Sequence, residues 1–138
     1  MVDGSVAEPY VHRIKVRYGE VDMQRVVFNS HYLAYCDDAV ENWLRHLGID
    51  VVAVGWDFML KKAVVEWDGV ATVHDLIEIE TGVSRWGNTS FDVLFTGRVG
   101  DAPVFRCTIT YVGVRAGTRE TMPPPQHIRA LLGEPAPA

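Results

Sequence analysis

RYGEVDMQRVVFNSHYLAYCDDAVENWLRHLG, residues 17–48, changes its hydrophobic rhythm partway along, and that change decides the fold. Upstream of it, Tyr10 to Tyr18 alternates. Val11, Arg13, Lys15 and Arg17 fall on one side, and His12, Ile14, Val16 and Tyr18 on the other, as in a half-buried strand. From residue 30 to residue 47 the period becomes helical. At about 100° per residue, Tyr32, Leu33, Tyr35, Cys36, Ala39, Val40, Trp43, Leu44 and Leu47 share one half of the helix, and Asp37, Asp38, Glu41, Asn42 and Arg45 occupy the other. Gly48 supplies the stop. An apolar face this wide must be wrapped by something larger than one neighbouring helix.

The wrapping follows in order. Phe58–Trp67, Leu76–Trp86, Phe91–Val99 and Val104–Arg115 read as strands, separated by Asp68-Gly69, Gly87-Asn88 and Gly100-Asp101. One early helix followed by consecutive strands predicts an α+β fold, with an antiparallel sheet curled around that helix. Pro123 to Leu132 reads as a short last helix. Residues 1–9 and 133–138 read as loose tails of a single domain.

Composition narrows the function. The 138 residues fit one domain with one core. The net charge of −5 argues against nucleic acid as the partner, since phosphate binding needs a basic face. No apolar run reaches the ~18 residues of a membrane span, and the N-terminal residues do not read as a secretory signal. Cys36 and Cys107 lack CxxC spacing, and the chain is expected in a reducing, cytoplasmic compartment. The histidines show no HExxH or paired-ligand spacing, and no metal is expected. Cys36, central on the apolar helical face, reads as a structural thiol rather than a nucleophile.

The run VRYGEVDMQRVVFNSHYLAYCDDA resembles the signature of the hotdog-fold acyl-CoA thioesterases of the 4-hydroxybenzoyl-CoA thioesterase and YbgC type. In that signature a strand ends in an aromatic, x-x-D follows, and an N- or H-x-x-Y-L segment enters a helix. FMLKKAVVEW and DLIEIETGVSRWGNTSF are similar to the second and third strands in order and spacing, so the resemblance runs from about Val11 to Val114. It implies a five-stranded antiparallel sheet around one long helix. It also implies hydrolysis of an acyl-CoA thioester to a carboxylic acid and free coenzyme A, with no cofactor beyond water. The alternative is a non-catalytic hotdog module that binds acyl-CoA or acyl-carrier protein. A hotdog dehydratase is weaker, because its D-x-N-x-x-H arrangement is not present here.

By the same resemblance, Asp22 and Asn29 are the catalytic candidates. Asp22 would attack the thioester carbonyl or activate the water that does, and the amide near Asn29, at the positive end of a helix, would take the developing oxyanion. An isolated aspartate before a helix is ordinarily a turn or capping residue; the surrounding motif reverses that reading. The Asn29 side chain reads first as an N-cap. Tyr18, Arg25 and Phe28 are assigned to substrate binding, although an inward strand aromatic such as Tyr18 is more often core. Glu20 reads as a solvated acid and His31 as solvent-facing.

The chain departs from its relatives at two points. Arg25 stands where a small glycine is common, and would narrow the acyl entrance or reach an anionic group. Gly87 and Asn88 stand where some relatives place basic residues for the nucleotide phosphates, which leaves Lys61, Lys62 and Arg85 as substitutes. The resemblance implies a homo-oligomer, either a dimer or a dimer of dimers, whose sites draw on both chains. A free strand edge supplies the physical motive.

Overall fold

A computed structural model of the chain describes residues 9–135. In chain order the elements are β1 (Tyr10–Lys15), a 3-10 turn at Tyr18–Glu20, α1 (Asn29–His46), α2 (Val51–Val54), β2 (Trp56–Trp67), β3 (Leu76–Trp86), β4 (Ser90–Val99), β5 (Ala102–Arg115) and α3 (Gln126–Leu132). The five strands form one antiparallel sheet in the order β1-β3-β4-β5-β2. It wraps α1, and the hotdog architecture expected from the sequence is met.

Helical and strand periods meet in the core. From α1, Tyr32, Tyr35, Cys36, Ala39, Val40 and Trp43 are buried, with Leu33, Leu44 and Leu47 half-buried at the margins. Alternate residues of the sheet face them: Ile77, Ile79 and Val83 on β3, Phe91, Val93 and Phe95 on β4, and Phe105, Cys107, Ile109 and Tyr111 on β5. Full burial of one such side chain is worth about 1.5–3 kcal/mol, so this interface dominates stability. His12 Nε2 lies 2.7 Å from Asp38 Oδ2 and ties β1 to α1. Gly48, at φ +73°, ends the helix as expected.

Two further packing details position the rest. The Phe105 ring lies directly over Gly97 of β4, in the space any Cβ there would fill, and reaches Tyr32 with a centroid separation of 4.9 Å. Tyr32 sits just inside the head of α1, so a bare position in the sheet sets a ring beneath the helix tip. At the other end, α3 buries Ile128 and Leu132, while Trp86 Nε1 donates to the Gly133 carbonyl at 2.9 Å. Glu134 pairs with Arg129 at 3.3 Å. Of the two segments expected to be loose tails, residues 1–8 and 136–138 lie outside the described residues.

Sequence periodicity missed two short elements. α2 is only one turn, but its ends are marked by Asp50, whose side chain accepts from the Val52 and Ala53 amides, and by Gly55 at φ +83°. The other is the 3-10 turn, where alternation was extended too far. β1 stops at Lys15 because the ladder breaks one residue on: the Val16 amide still donates to Asp75, next in register, at 2.8 Å, but the Val16 carbonyl accepts from His74 at 2.9 Å while the Asp75 amide turns to Thr72.

β2 is a free edge. It runs for 12 residues, bulges at Lys61, and leaves Met59, Leu60, Val64 and Trp67 about half exposed. α1 packs over the β1 and β3 side of the sheet, while the single turn of α2 packs against β2.

Candidate active site

The segment between the 3-10 turn and α1 folds as a small hairpin closed by a bridge between Val21 and Val27. Within it the Asp22 amide donates to the Val26 carbonyl at 2.9 Å, and the Arg25 amide donates to the Asp22 carbonyl at 2.9 Å. Asp22 Oδ1 accepts from the Gln24 amide at 2.8 Å. Asp22 is therefore a turn residue, as an isolated aspartate before a helix ordinarily is. One carboxylate oxygen shapes the turn, and the other has no partner among the described residues.

The hairpin is clamped by the loop that precedes β3. Thr72 Oγ1 donates to the Arg25 carbonyl at 2.6 Å, and the Val27 amide donates to the Ala71 carbonyl at 2.9 Å. Asp75 Oδ2 in turn accepts from the Thr72 amide at 2.9 Å. Between the two loops lies an open cavity of about 520 Å³ lined by Tyr18, Val21, Asp22, Met23, Arg25, Thr72 and Val73. The structure thus brings Tyr18, Asp22 and Arg25 together. Val21, Met23, Thr72 and Val73 complete the wall; they carry no motif and only tertiary folding reveals them.

Phe28 and Asn29 stand outside that lining, beside it at the head of α1. The Phe28 amide donates to the Glu20 carbonyl at 3.0 Å, so the helix head is tied two residues from Asp22. This corrects the N-cap expectation. Phe28, extended at φ −67° and ψ 142°, is the capping position and makes no side-chain cap bond, while Asn29 is the first helical residue and is exposed. The amides of Asn29 and Ser30 have no partner among the described residues, as expected of a first turn, and the positive end of the helix dipole lies there.

Two other readings are corrected. Tyr18 is 84% exposed on the 3-10 turn and is no core aromatic, because β1 has already ended. Glu20 is not solvated. It is only 7% exposed, and accepts from the Arg17 amide at 2.8 Å, the Arg17 guanidinium at 2.9 Å and the Tyr35 hydroxyl at 3.1 Å. Burial pushes its carboxyl up, but the Arg17 side-chain and backbone bonds and the Tyr35 bond outweigh it and hold the group below its ordinary range. Glu20 therefore braces the turn that carries Tyr18. His31 is half-buried, with its ring edge-on to Phe28. Cys36 and Cys107 are buried free thiols; the Cys36 thiol is pushed up by its hydrogen bond to Cys107 and by burial.

The basic candidates form a separate group. Arg85 bonds Asp92 through Nε at 2.9 Å and Nη2 at 3.2 Å, and Nη2 also reaches Ser90 Oγ at 3.1 Å. Thr110 Oγ1 donates to the same carboxylate at 2.7 Å, and Lys62 adds its charge from β2. The Arg85 bond leads in holding Asp92 below the usual carboxylate range, against burial. Arg85 lies roughly 25–30 Å along β3 from the Asp22 end, by the rise of a strand, and the chain does not bring the two together. Lys61 and Lys62 stand exposed midway along β2.

Comparison with known proteins places this arrangement. A family model described as the thioesterase-like superfamily matches residues 16–132. Acyl-CoA thioester hydrolase YbgC of Escherichia coli is 29% identical over 92 residues, 64% of this chain and 67% of that protein. Among solved structures, a thioesterase-superfamily protein from Jannaschia sp. CCS1 superposes with a TM-score of 0.87 at 19% identity, over 94% of this chain and 96% of the other. Slr0204, a 1,4-dihydroxy-2-naphthoyl-CoA thioesterase from Synechocystis, gives 0.80 at 18% identity, over 91% and 96%.

Proposed function

The chain belongs to the thioesterase-like superfamily, and on that premise we propose that it hydrolyses an acyl-CoA thioester to a carboxylic acid and free coenzyme A. One observation carries the reading: Asp22 is fixed by its own turn and lines a cavity beside a helix head, and among the described residues one of its carboxylate oxygens and the first amides of that helix have no partner. A thioester carbonyl set between them meets a nucleophilic oxygen on its carbon and hydrogen-bond donors at its oxygen.

The chemistry balances with water alone. Either Asp22 takes a proton from a water whose oxygen adds to the carbonyl, or Asp22 adds directly and water then opens the mixed anhydride. In both routes the C–S bond breaks and coenzyme A leaves as the thiol. A single turnover in ¹⁸O-labelled water separates them. Label reaches the product acid at once in the first route, whereas in the second, with water opening the anhydride at the Asp22 carbonyl, the first turnover draws its new oxygen from Asp22 and leaves the label in that side chain.

Lys61 and Lys62 are assigned to the phosphates, with Arg85 behind them. They lie roughly 17 Å along β2 from Trp67, which packs near Tyr32 at the helix head, and a pantetheine arm spans a separation of that order. If they serve this role, KM rises with ionic strength; a salt-independent KM removes it. The free β2 edge supports a dimer or a dimer of dimers, in which pairing two such edges covers Met59, Leu60, Val64 and Trp67. A monomer by light scattering at micromolar concentration contradicts that assembly. The activity itself is tested by thiol release over short, long and aromatic acyl-CoA substrates. Hydrolysis by the wild type and its loss in Asp22→Asn is expected, and binding without hydrolysis throughout overturns the enzyme in favour of a binding module.

A further inference from the structure

Arg25 departs from ordinary backbone geometry in a way that directs attention to its side chain. Its φ is +65°, a left-handed conformation that costs a non-glycine residue energy. Among the described residues only His74, at φ +73°, shares this property, and it lies on the opposing loop of the same cavity. The strain is held in place on both sides of the residue, by the Arg25 amide on Asp22 and by Thr72 on the Arg25 carbonyl.

Among the described residues the guanidinium has no compensating partner. Arg13, Arg17, Arg45, Arg85, Arg98, Arg106, Arg115 and Arg129 each pair with a carboxylate; among the described residues Arg25 and Arg119 do not. No ion pair joins Arg25 to Asp22, although both line one cavity. The remaining wall, Tyr18, Val21, Met23, Thr72 and Val73, carries no charge and includes the apolar side chains Val21, Met23 and Val73.

Building on the thioesterase reading, we infer that Arg25 binds a carboxylate at the far end of the acyl group, so that the favoured substrate is the coenzyme A hemithioester of a short dicarboxylic acid. An acyl carboxylate entering beside Asp22 meets like charge and needs a cation to stay. The phosphates of coenzyme A lie a whole pantetheine arm from the sulfur, so a cation sharing the Asp22 cavity is placed for the acyl side. Val21, Met23 and Val73 suit the methylenes between the two carbonyl groups.

The test uses the full chain and two stable thioethers of coenzyme A, one carrying a carboxypropyl group and the other a butyl group. Calorimetric titration of the wild type should show the carboxypropyl ligand binding about 10- to 100-fold tighter, the range of a charge-assisted hydrogen bond. In Arg25→Gly the preference should collapse toward one, and Arg25→Lys should restore part of it. Glycine suits φ +65°, so a thermal melt confirms that the variant folds. Equal binding by the wild type, or a preference that survives Arg25→Gly, overturns the inference. So does an equal loss of affinity for free coenzyme A, which would assign Arg25 to the phosphates. Because these ligands are not hydrolysed, an Arg25-dependent preference in a protein that turns over no thioester retains the inference while the hydrolase reading falls. Hydrolysis without any such preference does the reverse.

Discussion

At the Arg85 end of the sheet a guanidinium is closed by two bonds to Asp92 and one to Ser90, while at the Asp22 end Arg25 stands beside a carboxylate it does not touch. The first end also holds Trp56, Phe58, Trp86, Phe91 and Tyr111 in one continuous ring cluster under α3. The second is built from two strained, exposed loops. Charges satisfied by one another are largely committed to the fold. Charges held apart by a rigid backbone remain available to a ligand, at a cost in local stability that the packed end offsets.

The sharpest way to break this contrast is at Asp22. Asp22→Asn keeps the turn-forming oxygen and removes the charge, so kcat should fall by a factor on the order of 10² or more with the melting temperature nearly unchanged. Near-wild-type turnover would reduce Asp22 to a turn residue. Glu20 tests whether the brace beneath the site is structural. Glu20→Gln should cost about 1–3 kcal/mol at neutral pH, because a buried carboxylate loses its charge-assisted bonds. The sign with pH follows from its lowered value. The stabilisation is complete above the ordinary carboxylate range and disappears as pH falls through the folded-state value, so chemical melts of wild type and variant should converge in acid. A gap that persists at low pH would assign the loss to packing instead.

At the packed end the expected effect is smaller and of opposite sign. Tyr111 Oη is buried without a partner among the described residues, and burial raises its pKa. Tyr111→Phe removes that orphan and should gain about 1 kcal/mol, a rise of roughly 2–6 °C in Tm by calorimetry. The smallest effect belongs to the fold stability of Arg25→Gly. Relief of left-handed strain and the extra chain entropy of glycine are each about 1 kcal/mol and opposed, so its Tm should stay within roughly 3 °C of the wild type.

The same contrast marks what was legible in the sequence. The four later strands and α1 were readable to within two residues at each end, because a buried face must repeat at the period of its backbone. The loops have no period. Alternation carries β1 on to Tyr18, although the ladder already breaks at Val16, whose carbonyl accepts from His74 rather than from Asp75. Glu20 looked solvated because its Tyr35 partner lies 15 residues on, and a charged loop residue is ordinarily wet. Asn29 looked like the cap because its side chain suits one; the Phe28 bond to Glu20 moved the boundary by one residue. Asp22 and Arg25 are legible only through the resemblance to a family signature, and their companions Thr72 and Val73 through none.

Gly97 shows how far the loops depend on the sheet. With no side chain of its own, it lets Phe105 lie flat and meet Tyr32 beneath the tip of α1. A methyl group at that spot would act as a wedge, tilting one ring, then the next, and finally the helix amides that face the cavity rim. The geometry of the candidate catalytic pocket is thus partly set by a hydrogen atom on the far side of the core, where no reagent or substrate ever arrives.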